Sequence, residues 1–228
     1  MAIEQLSYSA AEIDERLGRV DKFSNPNLLD NPDFAINQRG QSEYINSGAY
    51  HAYAVDRWRL IGTLSVGDGH VVVKKDASAY GYGLLSQLVP GGTALEGETL
   101  TLSAIINSVL VTATGQLSTT LVHQDIKGYG YIGFQLGSGY IYVNLYATVG
   151  DLTIVKCSLE LGDVSTIAKQ TVNRDLQMLT CKRHFRVWKT EAARAAALNE
   201  VGLMRLESPT LGTINIGGVT HYFASAEL

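Results

Sequence analysis

Residues 129–146 read YGYIGFQLGSGYIYVNLY, two alternating segments joined by Gly-Ser-Gly. Successive side chains of a β-strand point to opposite faces of the sheet. One face of the predicted hairpin is therefore apolar and carries Ile132, Phe134, Leu136, Ile141, Val143 and Leu145. The other face carries Tyr129, Tyr131, Gly133, Gln135, Tyr140, Tyr142, Asn144 and Tyr146. The alternation predicts an antiparallel hairpin with one face in a hydrophobic core.

Five of the chain's 12 tyrosines lie on the second face of this hairpin. Tyrosine joins a flat apolar ring to a polar hydroxyl, so such a face suits stacking on sugars or on another protein. The candidate contacts with a glycan or a neighbouring subunit are Tyr129, Tyr131, Gln135, Tyr140, Tyr142, Asn144 and Tyr146. Two alternatives remain: the C-terminal part of the chain covers this face, or the tyrosines form a cross-strand ladder in solvent.

Short strands of the same kind are predicted from residue 34 to about residue 162. They are RWRLI (57–61), HVVVKK (70–75), YGLLSQLV (82–89), TLTLSAII (99–106), LSTTLV (117–122) and LTIVKCSLEL (152–161). In TLTLSAII, four apolar residues share one face while Thr99, Thr101 and Ser103 point away from the core. The spacing of strands and turns predicts a mainly β protein, with an antiparallel jelly-roll β-sandwich over residues 25–165.

Different patterns flank this sandwich. Residues 6–20, LSYSAAEIDERLGRV, predict a helix with apolar residues at a and d heptad spacing: Leu6, Ala10, Ile13, Leu17 and Val20. Because two heptads are too short for a stable coiled coil, residues 1–24 are interpreted as an anchor or oligomerisation segment, with an ordinary packed helix as the alternative. Residues 166–228 predict a small α+β appendage, with helices at 173–185 and 190–202 and short strands at 185–188 and 204–223.

Composition excludes several functional classes. The 228 residues are 46% hydrophobic and 18% charged with a net charge of −4, which indicates a globular chain. Lysine and arginine form no basic stripe, so we expect no nucleic-acid partner. No apolar run approaches the roughly 20 residues of a membrane span, and the N-terminus lacks the pattern of a signal peptide. The protein is therefore expected to be made in the cytoplasm and not to insert into a membrane.

No motif predicts catalysis or a cofactor. GYGYIG at 128–133 fits GxGxxG, but a strand follows it where a dinucleotide site requires a helix. The five histidines are scattered, and neither HExxH nor GxSxG occurs. The one catalytic alternative is a glycosidase pair drawn from Asp30, Asp33, Glu43 and Asp56. We therefore expect no enzyme activity, no cofactor and no metal.

NLLDNPDFAINQRGQSEY at 27–44, followed by YAVDRWRL at 53–60, resembles the opening of a family of bacteriophage tail-fibre and virion-spike proteins. KCSLELGDVST at 156–166, RDLQMLTCKRHF at 174–185 and MRLESPTL at 204–211 are similar to later segments of that family. The resemblance implies a jelly roll related to carbohydrate-binding modules, usually trimeric, on the virion surface. It also implies contact with host-surface glycan or with another fibre protein, and release by host lysis.

The same opening stretch allows structural roles to be assigned. Four apolar residues are expected to pin it to the core: Leu28, Leu29, Phe34 and Ile36. Four amides are expected to satisfy backbone groups at turns: Asn27, Asn31, Asn37 and Gln38. Arg39 and Arg57 are expected to form surface pairs with Asp56 or a loop carboxylate, and Trp58 to anchor the core. Some sugar-binding relatives hold calcium through an acidic residue after the Phe, but Ala35 stands here, so no calcium site is expected.

Overall fold

The structure is a computed structural model that describes residues 26–48, 51–75, 80–170, 172, 174–188, 190–192, 210–216 and 218–225. The predicted N-terminal helix, with Leu6, Ala10, Ile13, Leu17 and Val20, lies outside the described residues, as does most of the predicted helix at 190–202. Among the described residues, no helix combines the length and the apolar character needed to cross a bilayer.

Eleven antiparallel strands form the main body. They are β1 (Glu43–Asn46), β2 (Ala52–Tyr53), β3 (Arg59–Gly67), β4 (His70–Lys74), β5 (Gly83–Pro90), β6 (Thr99–Ile106), β7 (Val109–Gln116), β8 (Val122–Ile126), β9 (Gly130–Gly137), β10 (Tyr140–Ala147) and β11 (Leu152–Leu161). Their order is β7-β6-β11-β4-β3-β5-β10-β9-β8, with β1 and β2 paired to β3. The sheet curls until it is nearly closed, giving a barrel-like sandwich.

Strand β3 belongs to both halves of the sandwich. Residues 59–61 pair with β5, whereas residues 63–67 pair with β4. Gly62 stands between the two pairings with φ 97°, a conformation that glycine adopts without a steric penalty. We call the half with β7, β6, β11, β4 and β1 the first sheet, and the half with β2, β5, β10, β9 and β8 the second sheet.

The core between the two sheets confirms the alternation predicted for the hairpin. The apolar residues of 129–146 are buried, and Trp58 is completely buried as the predicted anchor. The Trp58 ring lies 5.1 Å from the Phe34 ring, and its Nε1–H donates to the Asn31 carbonyl at 3.0 Å. Burial of the indole with its N–H satisfied fixes the opening stretch of the sandwich against the core.

The predicted strands at 70–75, 82–89, 99–106 and 152–161 and the predicted hairpin are found, but β3 extends to Gly67, beyond the predicted 57–61, and β1, β2 and the part of β8 after Val122 were not predicted. Strand β7, which follows a tight turn at Asn107 and Ser108 with φ 49° and 66°, was not predicted. That turn contains no glycine, so the sequence lacks the usual hairpin signal. Residues 117–121 were predicted as strand but form a loop. In this loop the Leu117 side chain is buried in the core, and its N–H bonds to the Glu98 carbonyl.

The opening stretch, residues 27–40, forms a loop rather than a strand, and we call it the motif loop. The Asn27 side chain accepts from the Leu29 and Leu159 N–H groups at 3.1 and 3.0 Å. The Asn31 side chain accepts from the Ile36 N–H and donates to the Ile36 and Asp56 carbonyls. The predicted role of these amides in satisfying backbone groups is confirmed, and Asn27 thereby joins the start of the sandwich to its last strand.

The predicted pairing partners of the arginines are found, but the pairs are not on the surface. Arg57 Nε bonds to Asp30 at 2.9 Å, and Arg39 lies 4.0 Å from Asp56. Arg57 is 3% exposed and Asp56 1%, because the motif loop folds over both. Burial raises the pKa of Asp56, while bonds from Gln38 and the charge of Arg39 oppose the shift. Removing one partner of these pairs would therefore destabilise the fold more than removing one partner of a surface pair.

The outer face of the first sheet also departs from expectation, because Thr101 and Ser103 are fully buried. Residues 162–170 fold back across this face, and the Thr101 hydroxyl donates to the Gly162 carbonyl at 2.7 Å. Beneath this segment the fully buried Glu160 carboxylate accepts from the Ser158 hydroxyl at 2.6 Å and the Thr166 hydroxyl at 2.7 Å. It also accepts from the Thr166 N–H. A buried carboxylate is thus satisfied by neutral donors.

The C-terminal part contains helix α1 (Arg174–His184) and a second, three-stranded sheet. Its strands are β12 (Phe185–Trp188), β13 (Thr210–Ile216) and β14 (Val219–Ser225), in the order β12-β14-β13. These elements confirm the predicted helix at 173–185, the strand at 185–188 and the strands predicted after residue 209, while residues 204–209 lie outside the described residues. Helix α1 contacts the motif loop through Gln177, whose side-chain oxygen accepts from the Asn31 N–H at 2.7 Å.

Candidate functional site

The tyrosines of the hairpin lie on the outer face of the second sheet. Tyr131 on β9 stands opposite Tyr146 on β10, and Gln135 stands opposite Tyr142. Between these two pairs, Asn144 faces Gly133 on one side and Ser86 of β5 on the other. We call these outer-face residues, with the neighbouring Tyr53 and Arg59, the tyrosine face. Its members are Tyr53, Arg59, Ser86, Tyr131, Gly133, Gln135, Tyr142, Asn144 and Tyr146.

Aromatic rings form a continuous run along one edge of this face. Tyr131 and Tyr146 are stacked, with ring centroids 4.5 Å apart and planes 23° apart. Tyr82 meets Tyr146 edge-on at 5.3 Å and contacts Tyr80 at 6.0 Å, and His123 meets Tyr131 edge-on at 5.8 Å. Such mutual contacts hold the rings in place, so a ligand would meet a surface that is already ordered.

A row with only small side chains crosses the sheet beside the stacked tyrosines, and we call it the central row (Ser86, Asn144, Gly133). A Cβ at Gly133 would lie 2.7 Å from the Val122 carbonyl oxygen, so the close strand contact there requires glycine. The Tyr142 ring leans away from this row over Gly137, where a Cβ would lie 2.8 Å from it. The central row separates Tyr142 from the Tyr131–Tyr146 stack, but it is not an open floor, because Ser86 is 1% exposed, Asn144 is 8% exposed and Gly133 is buried.

One end of the central row carries basic and hydroxyl groups. Arg59 pairs with Ser86 across β3 and β5, and Tyr53 pairs with Arg59 across β2 and β3. The Ser86 hydroxyl lies 3.2 Å from His51 Nδ1. Burial, and then the charge of Arg59, lower the pKa of His51, so this imidazole is neutral at pH 7. Arg59 is therefore the cationic group at this end.

The hydroxyls of the stacked pair are protonated well above neutral pH. Burial raises the pKa of Tyr146 to about 12, with a further contribution from Tyr131. Burial also raises the pKa of Tyr131. Both side chains can therefore donate as well as accept hydrogen bonds, which matches the dual character of sugar hydroxyls.

The structure brings together most, but not all, of the sequence-predicted site residues. Tyr131, Gln135, Tyr142, Asn144 and Tyr146 lie together on the tyrosine face. Tyr140 is at the hairpin end of the same face, beside Pro90. Tyr129 lies in the turn before β9, where its carbonyl accepts from three successive N–H groups at 148–150, so it is not a strand residue as predicted.

Sequence analysis missed four residues of this region: His51, Tyr53, Arg59 and Ser86. A signal for Arg59 was present, because Trp58 and Leu60 face the core and the residue between them must face outward. Its position in line with Asn144, with Ser86 between them, depends on the pairing of β3 with β5 and of β5 with β10. Those are contacts between distant parts of the chain, and local pattern does not determine them.

A cleft of about 520 Å³ lies elsewhere, between the motif loop, the β3–β4 turn and the start of α1. Three of its charged groups, Asp33, Lys156 and Arg174, already have partners. Arg174 bonds to Asp33 at 2.9 Å, and Lys156 Nζ donates to the Ile167 and Gln170 carbonyls. Burial, the largest effect, lowers the pKa of Lys156. We interpret the cleft as a junction of the fold.

The carboxylates considered for a glycosidase are engaged separately. Asp30 pairs with Arg57, Asp33 with Arg174, and Asp56 accepts from the Gln38 N–H at 2.6 Å, while Glu43 lies 3.9 Å from Lys74. Within the described ranges, no three His, Cys, Asp or Glu side chains converge as metal ligands. The tyrosine face is therefore the candidate site, and its side chains are suited to binding a ligand.

Comparison with known proteins leaves the site to be interpreted from its geometry. The sequence matches no protein-family model, and no curated protein matches it.

Proposed function

We propose that this chain is a non-enzymatic fibre or spike subunit of a bacteriophage virion, and that its jelly-roll sandwich contacts a host-surface glycan through the tyrosine face. One observation carries the proposal: Tyr131 and Tyr146, both half-buried, form an ordered aromatic stack on the outer face of the second sheet. A sugar ring has an apolar face and a hydroxylated rim. The stack suits the first, and the tyrosine hydroxyls with the half-buried Gln135 amide suit the second.

The virion assignment rests on the motif loop. Its sequence resembles the opening of phage fibre and spike proteins, and in this chain its amides and Trp58 tie the loop to the sandwich. In this proposal the protein is made in the host cytoplasm and leaves at lysis. It assembles as a homotrimer, and residues 1–24 attach it to other virion proteins.

Two other functions share parts of this geometry. A free-standing carbohydrate-binding module would use the same face without the virion context. Alternatively, the face holds another fibre protein or a neighbouring subunit, since tyrosine is also frequent at protein interfaces. A glycan hydrolase is the weakest alternative, because the carboxylates Asp30, Asp33 and Asp56 are taken up by Arg57, Arg174 and Gln38.

Tyr131→Ala and Tyr142→Ala should each weaken glycan binding by roughly tenfold, since loss of a central aromatic contact costs about 1–2 kcal/mol. The full-length protein would be tested on a glycan array, and the affinity of a ligand found there would be measured by calorimetry. Tyr129→Ala is the matched control, because Tyr129 lies in the turn outside the strands, and it should change the affinity less than twofold.

A wild-type protein that binds no glycan on the array would contradict the proposed contact. Equal losses in Tyr129→Ala and Tyr131→Ala would place the site elsewhere. Strong self-association that both face variants abolish would instead identify the face as a subunit interface.

Substituting Ile13→Asp and Leu17→Asp together should convert the assembly to monomers, because charges in a heptad seam oppose its burial. Light scattering gives the mass of the full-length protein and of this variant, and circular dichroism reports whether the β domain remains folded. A trimer that persists in the variant would remove the oligomerisation role of residues 1–24 and place the interface on the sandwich.

A further inference from the structure

The two ends of the tyrosine face differ in charge. Arg59 lies at one end, where its charge acts on Tyr53 and Tyr142. Asp125 lies at the other end, on the edge strand β8 and directly opposite Tyr131 of β9. The Asp125 side chain is exposed, and the ion pairs found in the described part of the chain do not include it. The stacked tyrosines therefore have a free carboxylate beside them.

The rings at the Asp125 end form a connected series. Neighbouring ring centroids in this series are 4.5–6.0 Å apart. We call the series the aromatic run, which consists of His123, Tyr131, Tyr146, Tyr82 and Tyr80.

The aromatic run is open to solvent, in contrast to the buried central row. His123 is exposed at one end of the run, beside Asp125 on β8, and Tyr80 is 42% exposed at the other end. Tyr131 and Tyr146 lie between them and are half-buried. A ligand can therefore reach the carboxylate and the rings together without crossing the central row.

The electrostatics of this end favour a ligand with a positive charge. Burial is the largest cause of the raised pKa of Tyr131, and the charges of Tyr82 and Asp125 act in the same direction. A negative charge that opposes ionisation of a phenol attracts a cation by the same interaction. The electron-rich ring faces and the hydroxyl oxygens of the tyrosines add to this attraction.

The length of the aromatic run favours an extended ligand over a small cation. The charge of Asp125 acts at one end of the run, so a single positive group meets it while the rest of the ligand contacts rings and hydroxyls. A sugar with an amino substituent has this composition, since it joins one ammonium to a ring of C–H and hydroxyl groups.

We propose that the aromatic run binds an amino saccharide, with the sugar ammonium at Asp125 and the sugar rings along the tyrosines toward Tyr80. This inference rests on the proposed glycan contact and specifies its ligand class. It makes Asp125 the residue that separates charged amino sugars from their neutral N-acetylated forms, while the tyrosines bind both.

The test compares each amino sugar with its N-acetylated form on the full-length protein. The probes are oligomers of glucosamine and of galactosamine, with affinities measured by calorimetry in a buffer that keeps the amines protonated. We expect at least one charged oligomer to bind about fivefold or more tightly than its N-acetylated form, because an exposed ion pair and a cation–π contact each contribute a small factor. The preference should shrink at high salt, which screens exposed charges.

Two variants of Asp125 separate charge from structure, with circular dichroism to report whether each is folded. Asp125→Asn keeps the size of the side chain and should reduce the preference to about twofold or less, with the affinity for the N-acetylated form nearly unchanged. Asp125→Lys should reverse the preference, because like charges repel. Asp68→Asn is the matched control: Asp68 is an exposed carboxylate in the β3–β4 turn, and its substitution should leave the preference unchanged.

The outcomes distinguish this inference from the proposed function. Equal or weaker binding of the charged forms would overturn the amino-sugar assignment and leave glycan contact standing. No binding of any probe or array glycan would overturn both. A preference that survives Asp125→Asn in a folded protein would overturn the role of Asp125. Ethanolamine that binds as tightly as the amino oligomers would show that the site takes a small cation, and the saccharide assignment would be wrong.

Discussion

Trp58→Ala should lower the free energy of unfolding by about 3–5 kcal/mol, the range for truncating a fully buried tryptophan. Trp58 is 0% exposed, contacts Phe34, and donates its indole N–H to the Asn31 carbonyl. The substitution would leave a cavity at the point where the motif loop meets the core. Since small domains are typically stable by about 5–15 kcal/mol, much of the sandwich's stability depends on this side chain.

Urea unfolding followed by far-ultraviolet circular dichroism would measure this loss without relying on tryptophan fluorescence. Trp58→Phe keeps an aromatic ring but loses the bond to Asn31, so a smaller loss is expected. Val149→Ala is the matched control: Val149 is 63% exposed in a turn, and its truncation should change stability by no more than ~0.5 kcal/mol. A loss below 1 kcal/mol in Trp58→Ala would contradict the anchor role.

Glu160→Ala should destabilise the protein by about 3 kcal/mol, because each buried donor left without an acceptor costs roughly 1–3 kcal/mol. Its carboxylate is fully buried and accepts from the Ser158 and Thr166 hydroxyls and the Thr166 N–H. The loss should be local at first, since these bonds hold residues 162–170 over the first sheet. Amide hydrogen exchange should show Thr166 losing its protection before the strands of the second sheet do.

Glu160→Gln retains one oxygen acceptor and should cost less than Glu160→Ala. Glu98→Ala is the control, because Glu98 is an exposed carboxylate in the loop before β6 and its truncation should have little effect. If Glu160→Ala and Glu98→Ala unfold at the same urea concentration, the buried network contributes nothing and our account of it is wrong.

The second sheet shows how far local sequence pattern reaches. Residues 130–147 alternate strictly and have a glycine-rich turn, so the hairpin and the direction of each side chain followed from the sequence. Strand β7 was missed because its turn, at Asn107 and Ser108, lacks glycine. The predicted exposure of Thr101 failed for a different reason: the segment that covers it, residues 162–170, is far away in the chain.

The same distinction applies to the candidate site: features within the hairpin were predictable from the sequence, and features that depend on distant strands were not. The tyrosines could be assigned to one face from their alternation alone. Arg59 and Ser86 could not be placed beside them, since that requires knowing that β5 lies between β3 and β10. The buried environment of Asp56 and Arg57 was likewise not predicted, because charged residues in a loop are usually exposed.

The bonds between the motif loop and β11 have a mechanical consequence. The Leu28 N–H bonds to the Leu159 carbonyl, the Cys157 N–H bonds to the Pro32 carbonyl, and Asn27 reaches both Leu159 and Gln170. The chain thus enters and leaves the sandwich at neighbouring points. Residues 28–32 run antiparallel to residues 157–159, so tension applied between residues 26 and 170 would load these bonds one after another, starting at Leu28 and Leu159. The force needed to open this one junction would therefore decide when the strands between the two points begin to carry load.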